Sequence, residues 1–340
     1  MASSPMRTVV IGTILTVAAA ACGISGAQQG TRTPPSPEPL APVAAYRDAV
    51  TAALAAHLRV WIEADMVKRW EEGPGAFRAA VTRVAVLARR PGVVGIKIAD
   101  ELGYHDGLDS ARQIRAFLSA TTRALHAAAP GKRVLADIVV PQLGCLPGRQ
   151  HAGSPAAACA AQARAAYPQL ALPAIDTYLR MHAISVLDLS TGLLPDSTYA
   201  SWGTTADAAQ IAAWREVRRR GWPGLVRLQS RKALAHPGAY AGTPAQAAAD
   251  VRLFVDIPLA SGARAVDIWT WHQEYDGQMY SLMNPGLRPN LLWDLLERRR
   301  RAGDVLFTHM SPHSVDMGLD RDLVQVAVVF TDLFLPAGTG

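Results

Sequence analysis

Cysteine is scarce in this chain, with three among 340 residues, and the marks of several common protein classes are missing. The apolar segment from Val9 to Ala21 is too short to span a bilayer comfortably. No glycine-rich phosphate loop follows the first predicted strand, which argues against a dinucleotide-binding fold. Basic residues exceed acidic ones by six, but they are scattered, and the clusters Arg218–Arg220 and Arg298–Arg301 lie in predicted amphipathic helices. We therefore expect solvated helix ends there and no nucleic-acid partner.

The N-terminal region has the features of an export signal. In residues 1–22, Arg7 precedes the apolar segment and small residues precede Cys22. The sequence around Cys22 resembles a bacterial lipoprotein signal, in which the cysteine is lipidated after cleavage; an ordinary secretory signal cleaved nearby is the alternative. Residues 23–42 are rich in Pro and Ser and predict a flexible tether. We expect an exported protein that is either secreted or held at the membrane through a lipid anchor alone.

The other two cysteines, Cys145 and Cys159, lie in one Gly/Pro/Ala-rich segment. In an oxidising compartment they are expected to form a disulfide, with two free thiols as the alternative. The predicted bond requires Cα atoms within about 7 Å of each other.

Residues 43–340 alternate between predicted helices and strands, which indicates a single α/β domain. Strands are predicted at 58–64, 93–99, 134–140, 175–181, 225–229, 265–271 and 305–308, with a further β-like run at 324–330. Helices are predicted at 43–56, 76–89, 110–128, 156–166, 206–219, 244–255 and 289–301. One helix between successive strands favours a parallel sheet, and seven or eight such strands favour a (β/α)-barrel of the TIM-barrel type over an open sheet.

Period-two alternation places polar or aromatic side chains on one face of most predicted strands. The sets are Trp61, Glu63 and Asp65; Lys97, Ala99 and Glu101; Asp137; Asp176, Tyr178, Arg180 and His182; Arg227, Gln229 and Arg231; and Asp267, Trp269 and Trp271. Unpaired buried charge is costly, so a barrel interior of this kind must pair its charges or line a wet cleft. The sequence leaves both alternatives open.

Two segments resemble a known enzyme family. Ala99-Asp100-Glu101, at the end of a predicted strand, resembles the Asn-Glu that closes the fourth strand of many (β/α)8 glycoside hydrolases, where the Glu is the general acid/base. Four βα units later, residues 265–273 (AVDIWTWHQ) resemble their eighth strand, which carries a substrate-platform tryptophan. Counting back makes 58–64 the third strand, so the barrel is expected to be incomplete or atypical at its N-terminal strands. Gln229 stands roughly where the family has its nucleophilic Glu.

Glycosidic hydrolysis needs two carboxyl groups about 5 to 9 Å apart. Glu101 is the candidate general acid/base, and Glu274 and Glu63 are the leading candidates for the second group, with Asp267 and Asp65 also considered. Candidates for substrate binding are Asp65, Asp100, Tyr104, Arg180, Gln229, Trp269, Trp271 and His272, although a tryptophan is more often a core residue.

The sequence thus predicts a glycoside hydrolase-like barrel that acts on an extracellular or cell-envelope saccharide without a cofactor. The alternative is a saccharide-binding barrel that has lost its nucleophile. A Schiff-base role for Lys97 is a weaker hypothesis. A metal site at His309, His313 and Asp316 is also weak, because no Cys or Glu accompanies them at ligand spacing, and no metal is expected.

Overall fold

The structure is a computed structural model that describes residues 43–146, 153–222, 226–231 and 234–338, with residues 226–231 described by their backbone alone. The predicted signal peptide, the tether and Cys22 lie outside the described residues. Within those ranges, no helix combines the length and the apolar character needed to cross a membrane.

The strands of the described residues form one sheet. They are β1 (Arg59–Glu63), β2 (Val93–Lys97), β3 (Arg133–Val139), β4 (Val186–Ser190), β5 (Val226–Arg231), β6 (His236–Pro237), β7 (Val266–Tyr275), β8 (Gln278–Ser281), β9 (Leu306–Met310) and β10 (Asp332–Pro336). All pairings are parallel except those of β8 with β6 and β7. Because β5 pairs with β7 and β10 pairs with β1, the parallel strands close into a ring. The predicted (β/α)-barrel is confirmed.

The barrel departs, at its N-terminal end, from the strand order that the resemblance implies. β1 is the strand that the resemblance makes the third, yet it comes first in the chain and pairs with β2 on one side and β10 on the other. β9 and β10 occupy the two positions between β7 and β1. β9 and β10, which come last in the chain, thus take the ring positions of the first and second strands, which the sequence numbering had left without a candidate. In this ring of eight parallel strands, β2 and β7 lie on opposite sides.

Helices of the described residues connect these strands. They are α1 (Val43–Ala55), α2 (Met66–Glu71), α3 (Pro74–Ala88), α4 (Ala111–Ala128), α5 (Pro141–Gly144), α6 (Pro155–Ala166), α7 (Leu172–Arg180), α8 (Asp196–Ser201), α9 (Ala206–Arg219), α10 (Pro244–Val251), α11 (Ile257–Ala260), α12 (Leu291–Arg301) and α13 (Leu319–Val329). Their starts follow sequence signals: Ser110 caps α4, Thr205 caps α9, and Thr243 with Gln246 forms a capping box on α10.

Two predicted strands are wrong. Residues 175–181 belong to α7, which buries Leu172, Ile175 and Leu179 at helical spacing, and the strand of this unit comes later, at β4. Residues 324–330 fall largely in α13, which buries Leu323, Val326 and Val329, and the last strand is β10. In both segments β-branched and aromatic residues suggested strands, and packing on a helical face overrode that preference.

The predicted disulfide is confirmed. Cys145, just after α5, is bonded to Cys159 in α6, and their Cα atoms are 5.6 Å apart.

The barrel interior has an apolar layer beneath a polar one. The apolar layer is Trp61, Leu135, Val186, Ala265, Phe307 and Phe334, a cluster separate from the main core between sheet and helices. Two residues after the first five of these, on the same strands, stand Glu63, Asp137, Asp188, Asp267 and His309. Since alternate residues of a strand share a face, the polar layer lies on the carboxyl-end side, where barrel enzymes place their sites.

Candidate active site at the carboxyl end of the barrel

The carboxyl ends of neighbouring strands bring five charged side chains together, which we call the charged network: Asp100, Lys97, Glu63, His309 and Asp267. Lys97 Nζ donates to Glu63 Oε1 at 2.7 Å and to Asp100 Oδ1 at 3.2 Å. His309 contacts the other Glu63 oxygen through Nδ1 at 3.2 Å and Asp267 Oδ2 through Nε2 at 3.0 Å. The contacts are continuous from the edge of the mouth to the barrel centre.

Burial distinguishes the inner members of the charged network from the outer ones. Lys97 and Asp267 are 1% and 0% exposed, whereas the side chains of Glu63 and Asp100 are 28% and 58% exposed. Charges this deep are tolerated only when paired, because removing one partner leaves an uncompensated buried charge. The outer carboxylates are therefore the ones that a ligand can reach.

The charged network also fixes protonation states. Burial alone would raise the pKa of Glu63, but Lys97 and His309 outweigh it and lower that pKa to about 2. Burial would lower the pKa of His309, but Asp267 and Glu63 raise it to about 9. At neutral pH Glu63 is therefore an ionised carboxylate, and His309 is an imidazolium that donates through both ring nitrogens.

Phe334 forms the floor beneath the charged network. The His309 ring stacks on it with centroids 4.6 Å apart and an interplanar angle of 26°, and Lys97 Nζ lies 5.4 Å from the ring centroid. Both cations thus lie against the same aromatic ring, which adds cation–π attraction to the ion pairs. The apolar layer below limits water access from the opposite end of the barrel.

Glu101, the predicted general acid/base, follows β2 and is half-buried. Its backbone has φ of 53°, a left-handed conformation unusual for a non-glycine residue. Asp137 fixes that conformation from below: its Oδ2 accepts from the Glu101 N–H at 3.3 Å, and its carbonyl accepts from the Leu102 N–H at 2.8 Å. The buried carboxylate of Asp137 therefore has a positioning role, which favours, for this residue, the alternative of a paired polar core.

An aromatic cluster, here called the Trp269 platform, occupies the opposite side of the mouth. Trp269 is half-buried, with its ring 5.4 Å from that of Tyr275 and 5.8 Å from that of Tyr280. Tyr275 and Tyr280 come from the hairpin in which the end of β7 pairs with β8 beyond the barrel. Tyr275 is 41% exposed, so the platform offers aromatic surface to a ligand.

Other predicted site residues have different environments. Trp271 is 0% exposed and packs on Trp293, so the expectation that it binds substrate is wrong and it belongs to the core. Arg180 ends α7, before β4 begins, and so lies at the amino end of the barrel, away from the mouth. Its assignment to the site depended on a strand that is a helix.

The remaining predicted residues lie at or near the mouth. Asp65 is exposed and caps α2 by accepting from the Lys68 N–H at 3.3 Å. His272 and Glu274 are in the β7–β8 hairpin, paired with Ser281 and Met279, and Glu274 is exposed. The backbone of Gln229 is paired with Asp267 on β7, but its side chain lies outside the described residues.

The surroundings of Lys97 and His309 oppose the two weaker hypotheses. Carboxylates raise the pKa of Lys97 well above its ordinary value in spite of burial, whereas a Schiff-base lysine must be neutral to attack a carbonyl. His313 contacts Tyr46 at 3.3 Å, and Asp316 accepts from the Gly286 N–H at 3.0 Å, so neither joins His309. The described part of the chain holds no group of three or more His, Cys, Asp or Glu arranged for a metal.

Sequence reasoning missed two members of the polar layer. His309 stands one residue beyond the predicted strand 305–308, and extending the alternation from Phe307 would have placed it inside the barrel. Asp188 lies on β4, and the same alternation from Val186 identifies it once β4 is recognised as the strand of its unit.

No protein-family model matches this chain, and no curated protein matches it either. Among solved structures it is similar to 2,3-dimethylmalate lyase, at 14% identity over 86% of this chain and 80% of that one, with a TM-score of 0.40. It is also similar to the catalytic core of xylanase A, at 11% identity over 70% and 75%, TM-score 0.37. A third is the β-1,4-D-mannanase from Cryptopygus antarcticus, at 9% identity over 82% and 83%, TM-score 0.42. At these values the similarities carry no argument about the function of this chain.

Proposed function

We propose that this protein hydrolyses a glycosidic bond of an extracellular or cell-envelope saccharide at the mouth of its barrel. Glu101 donates a proton to the leaving oxygen as the glycosidic bond breaks. Glu63, the ionised carboxylate of the pair, either bonds to the anomeric carbon, from which water then displaces it, or takes a proton from the water that attacks that carbon. The observation that carries the proposal is that the loop of Glu101, after β2, lies across the ring from the Trp269 platform on β7, while Glu63 on the adjacent strand β1 contacts both Lys97 and His309.

The two sides of the mouth have different roles: Glu63 and Glu101 act on the bond that is cleaved, and the Trp269 platform binds the sugar. An oxocarbenium-like transition state is stabilised by a nearby carboxylate, and the leaving oxygen needs a proton. Glu63 cannot be the proton donor at neutral pH, because its pKa of about 2 keeps it ionised, so the donor role falls to Glu101. The Trp269 platform would stack against the apolar face of a sugar ring and hold the bond over the carboxylates.

A second candidate function is saccharide binding without hydrolysis. Both oxygens of Glu63 already contact cationic groups, Lys97 and His309, which weakens Glu63 as a nucleophile. Gln229, an amide where the resembled family has its nucleophilic Glu, favours the same alternative. In this case the charged network would be a paired polar core that supports a binding cleft.

The test compares Glu101→Gln with wild type for both hydrolysis and binding of the same glycan, with Glu297→Gln on α12 as a matched control. Glu297 contacts Arg301 on the same helix, and its loss removes a carboxylate far from the mouth. If Glu101 is the general acid/base, Glu101→Gln lowers turnover by about 100-fold or more while binding persists. Wild type that binds glycans and cleaves none supports the second candidate; wild type that binds none refutes both.

Export and anchoring belong to the same proposal, and the disulfide supports export because such bonds persist in oxidising compartments. Membrane fractionation of wild type against Cys22→Ser tests the anchor. A lipid-anchored protein moves from the membrane fraction to the soluble fraction on this substitution, whereas equal solubility of both proteins contradicts the anchor.

A further inference from the structure

We propose that a second aromatic cluster, formed by Tyr104, His105 and Tyr167 and here called the Tyr167 cluster, is a further sugar-binding subsite beside Glu101. With the Trp269 platform across the mouth, it makes the substrate an extended glycan chain that is bound on both sides of the cleaved bond. This inference rests on the proposed function and adds its substrate class.

The Tyr167 cluster joins two loops at the carboxyl end of the barrel. Tyr104 and His105 follow Glu101 in the loop after β2, and the Tyr104 N–H donates to the Glu101 carbonyl at 2.8 Å. Tyr167 comes from the long β3–β4 connection, between α6 and a 3-10 turn. Ring centroids are 4.1 Å apart for Tyr104 and His105 and 4.7 Å apart for Tyr104 and Tyr167.

The rings of this cluster are covered to different degrees. Tyr104 and Tyr167 are half-buried and pack in part against the main core, whereas His105 is exposed. Tyrosine presents an apolar ring with a polar tip, and aromatic side chains of this kind line ligand sites that combine stacking with hydrogen bonding. Three such rings in contact at the rim form a surface of the kind that stacks against sugar rings.

The two loops are rigidly docked to each other. The Gln169 side-chain amide donates to the Gly103 carbonyl at 2.8 Å, and the Tyr178 hydroxyl donates to the Gln169 carbonyl at 2.8 Å. Gly103 has φ of 78°, a left-handed conformation that favours glycine, and a Cβ there would lie 2.6 Å from Ile114 Cδ1, so a side chain at this position would strain the backbone and displace Ile114. The Cys145–Cys159 disulfide holds the start of the same connection. Such preorganisation lowers the entropy cost of binding.

The positions of the two aromatic clusters determine the length of glycan that can contact both. Tyr104 of the Tyr167 cluster lies three residues beyond Glu101, while the Trp269 platform lies on the strand directly opposite β2 in the ring. A ligand that contacts both must cross the mouth above Glu101 and Glu63. A disaccharide is long enough to occupy only one side of the mouth, that of the Trp269 platform, whereas a longer chain reaches both aromatic clusters. Because a chain bound in this way extends on both sides of Glu101, we expect cleavage within chains.

The experiment measures binding of gluco-, manno-, xylo- and N-acetylglucosamine β-1,4-oligosaccharides, each as disaccharide and hexasaccharide, to wild type, Tyr167→Ala, Tyr167→Phe and Trp269→Ala. We expect Tyr167→Ala to weaken hexasaccharide binding by about tenfold, the size of one stacking contact, and to leave disaccharide binding unchanged. Tyr167→Phe should retain wild-type binding because it keeps the ring. Trp269→Ala should weaken binding at both lengths.

Equal hexasaccharide affinity of wild type and Tyr167→Ala, with binding lost in Trp269→Ala, overturns the second subsite and leaves the proposed function intact. Equal losses at both lengths in Tyr167→Ala overturn it too, because the cluster would then belong to a single subsite. If wild type binds no oligosaccharide, the inference and the proposed function fail together. Should Tyr167→Ala unfold, His105→Ala removes an exposed ring of the same cluster and carries the same length-dependent expectation.

Discussion

Replacing His309 by Gln should remove a pH-dependent part of the stability of this barrel. The imidazolium is buried between Glu63 and Asp267, which raise its pKa from an ordinary 6.5 to about 9 in spite of burial. At about 1.4 kcal/mol per pKa unit, that rise corresponds to about 3 kcal/mol of stability when the ring is protonated. Gln is neutral over the whole range and can still hydrogen-bond, so its contribution does not titrate.

The sign of this pH dependence follows from the raised pKa of His309. The folded state binds the His309 proton more tightly than the unfolded state, so the contribution is complete below about pH 6.5 and is lost as pH rises to about 9. Two other groups of the charged network, Glu63 and Lys97, keep their charge in this window. The pKa of Glu63 is lowered to about 2, and that of Lys97 is raised well above its ordinary value.

Denaturant unfolding of wild type and His309→Gln at half-unit steps from pH 6 to 9.5 measures the effect as a difference. The unfolding free energy of wild type should exceed that of the variant by a margin that shrinks by about 3 kcal/mol across the window. Titration of the His309 ring by NMR checks the pKa independently. A constant margin, or one that grows with pH, would refute the buried imidazolium bridge.

Lys97→Met should destabilise the protein by about 3 to 5 kcal/mol in denaturant unfolding at pH 7, because it leaves buried carboxylate charge uncompensated; a loss under about 1 kcal/mol would contradict this. Cys159→Ser should cost about 3 kcal/mol relative to the oxidised protein, and reduction of wild type should reproduce the loss, whereas equal stability with and without reductant argues against the bond to Cys145. Trp271→Ala should cost about 3 to 5 kcal/mol as a core truncation. Trp269→Ala should cost clearly less, since its ring is half-exposed, and a reversed order would mean that the two tryptophans have been assigned the wrong roles.

Much of the barrel interior follows from strand periodicity in the sequence. Alternation alone put Glu63, Lys97, Asp137 and Asp267 on the face that the structure buries inside the ring. The sequence also predicts Asp100 and Glu101 at the carboxyl end of β2, because a buried parallel strand is an apolar run that ends where polar residues begin. These inferences need only one strand at a time.

Periodicity within single strands could not predict contacts between strands that are far apart in the chain. His309 meets Glu63 because β10 lies between β9 and β1 and closes the ring, a pairing of the two ends of the chain. The sequence predicted strand character at 324–330, where α13 lies, and so gave no ring closure and no neighbour for β1. Trp269 and Trp271 illustrate the other limit: two residues apart on one strand, they differ because α12 covers Trp271 with Trp293, while the β7–β8 hairpin leaves Trp269 partly open.

A crystal structure of Glu101→Gln with a bound β-1,4-linked hexasaccharide would show where the glycosidic bonds lie relative to Glu101 and Trp269. We expect a sugar ring stacked on Trp269 and a glycosidic oxygen within about 3 Å of the substituted side chain at position 101, with Glu63 beneath the adjoining sugar. A glycan bound elsewhere on the barrel, or lying at the mouth with no glycosidic oxygen near position 101, would contradict this expectation.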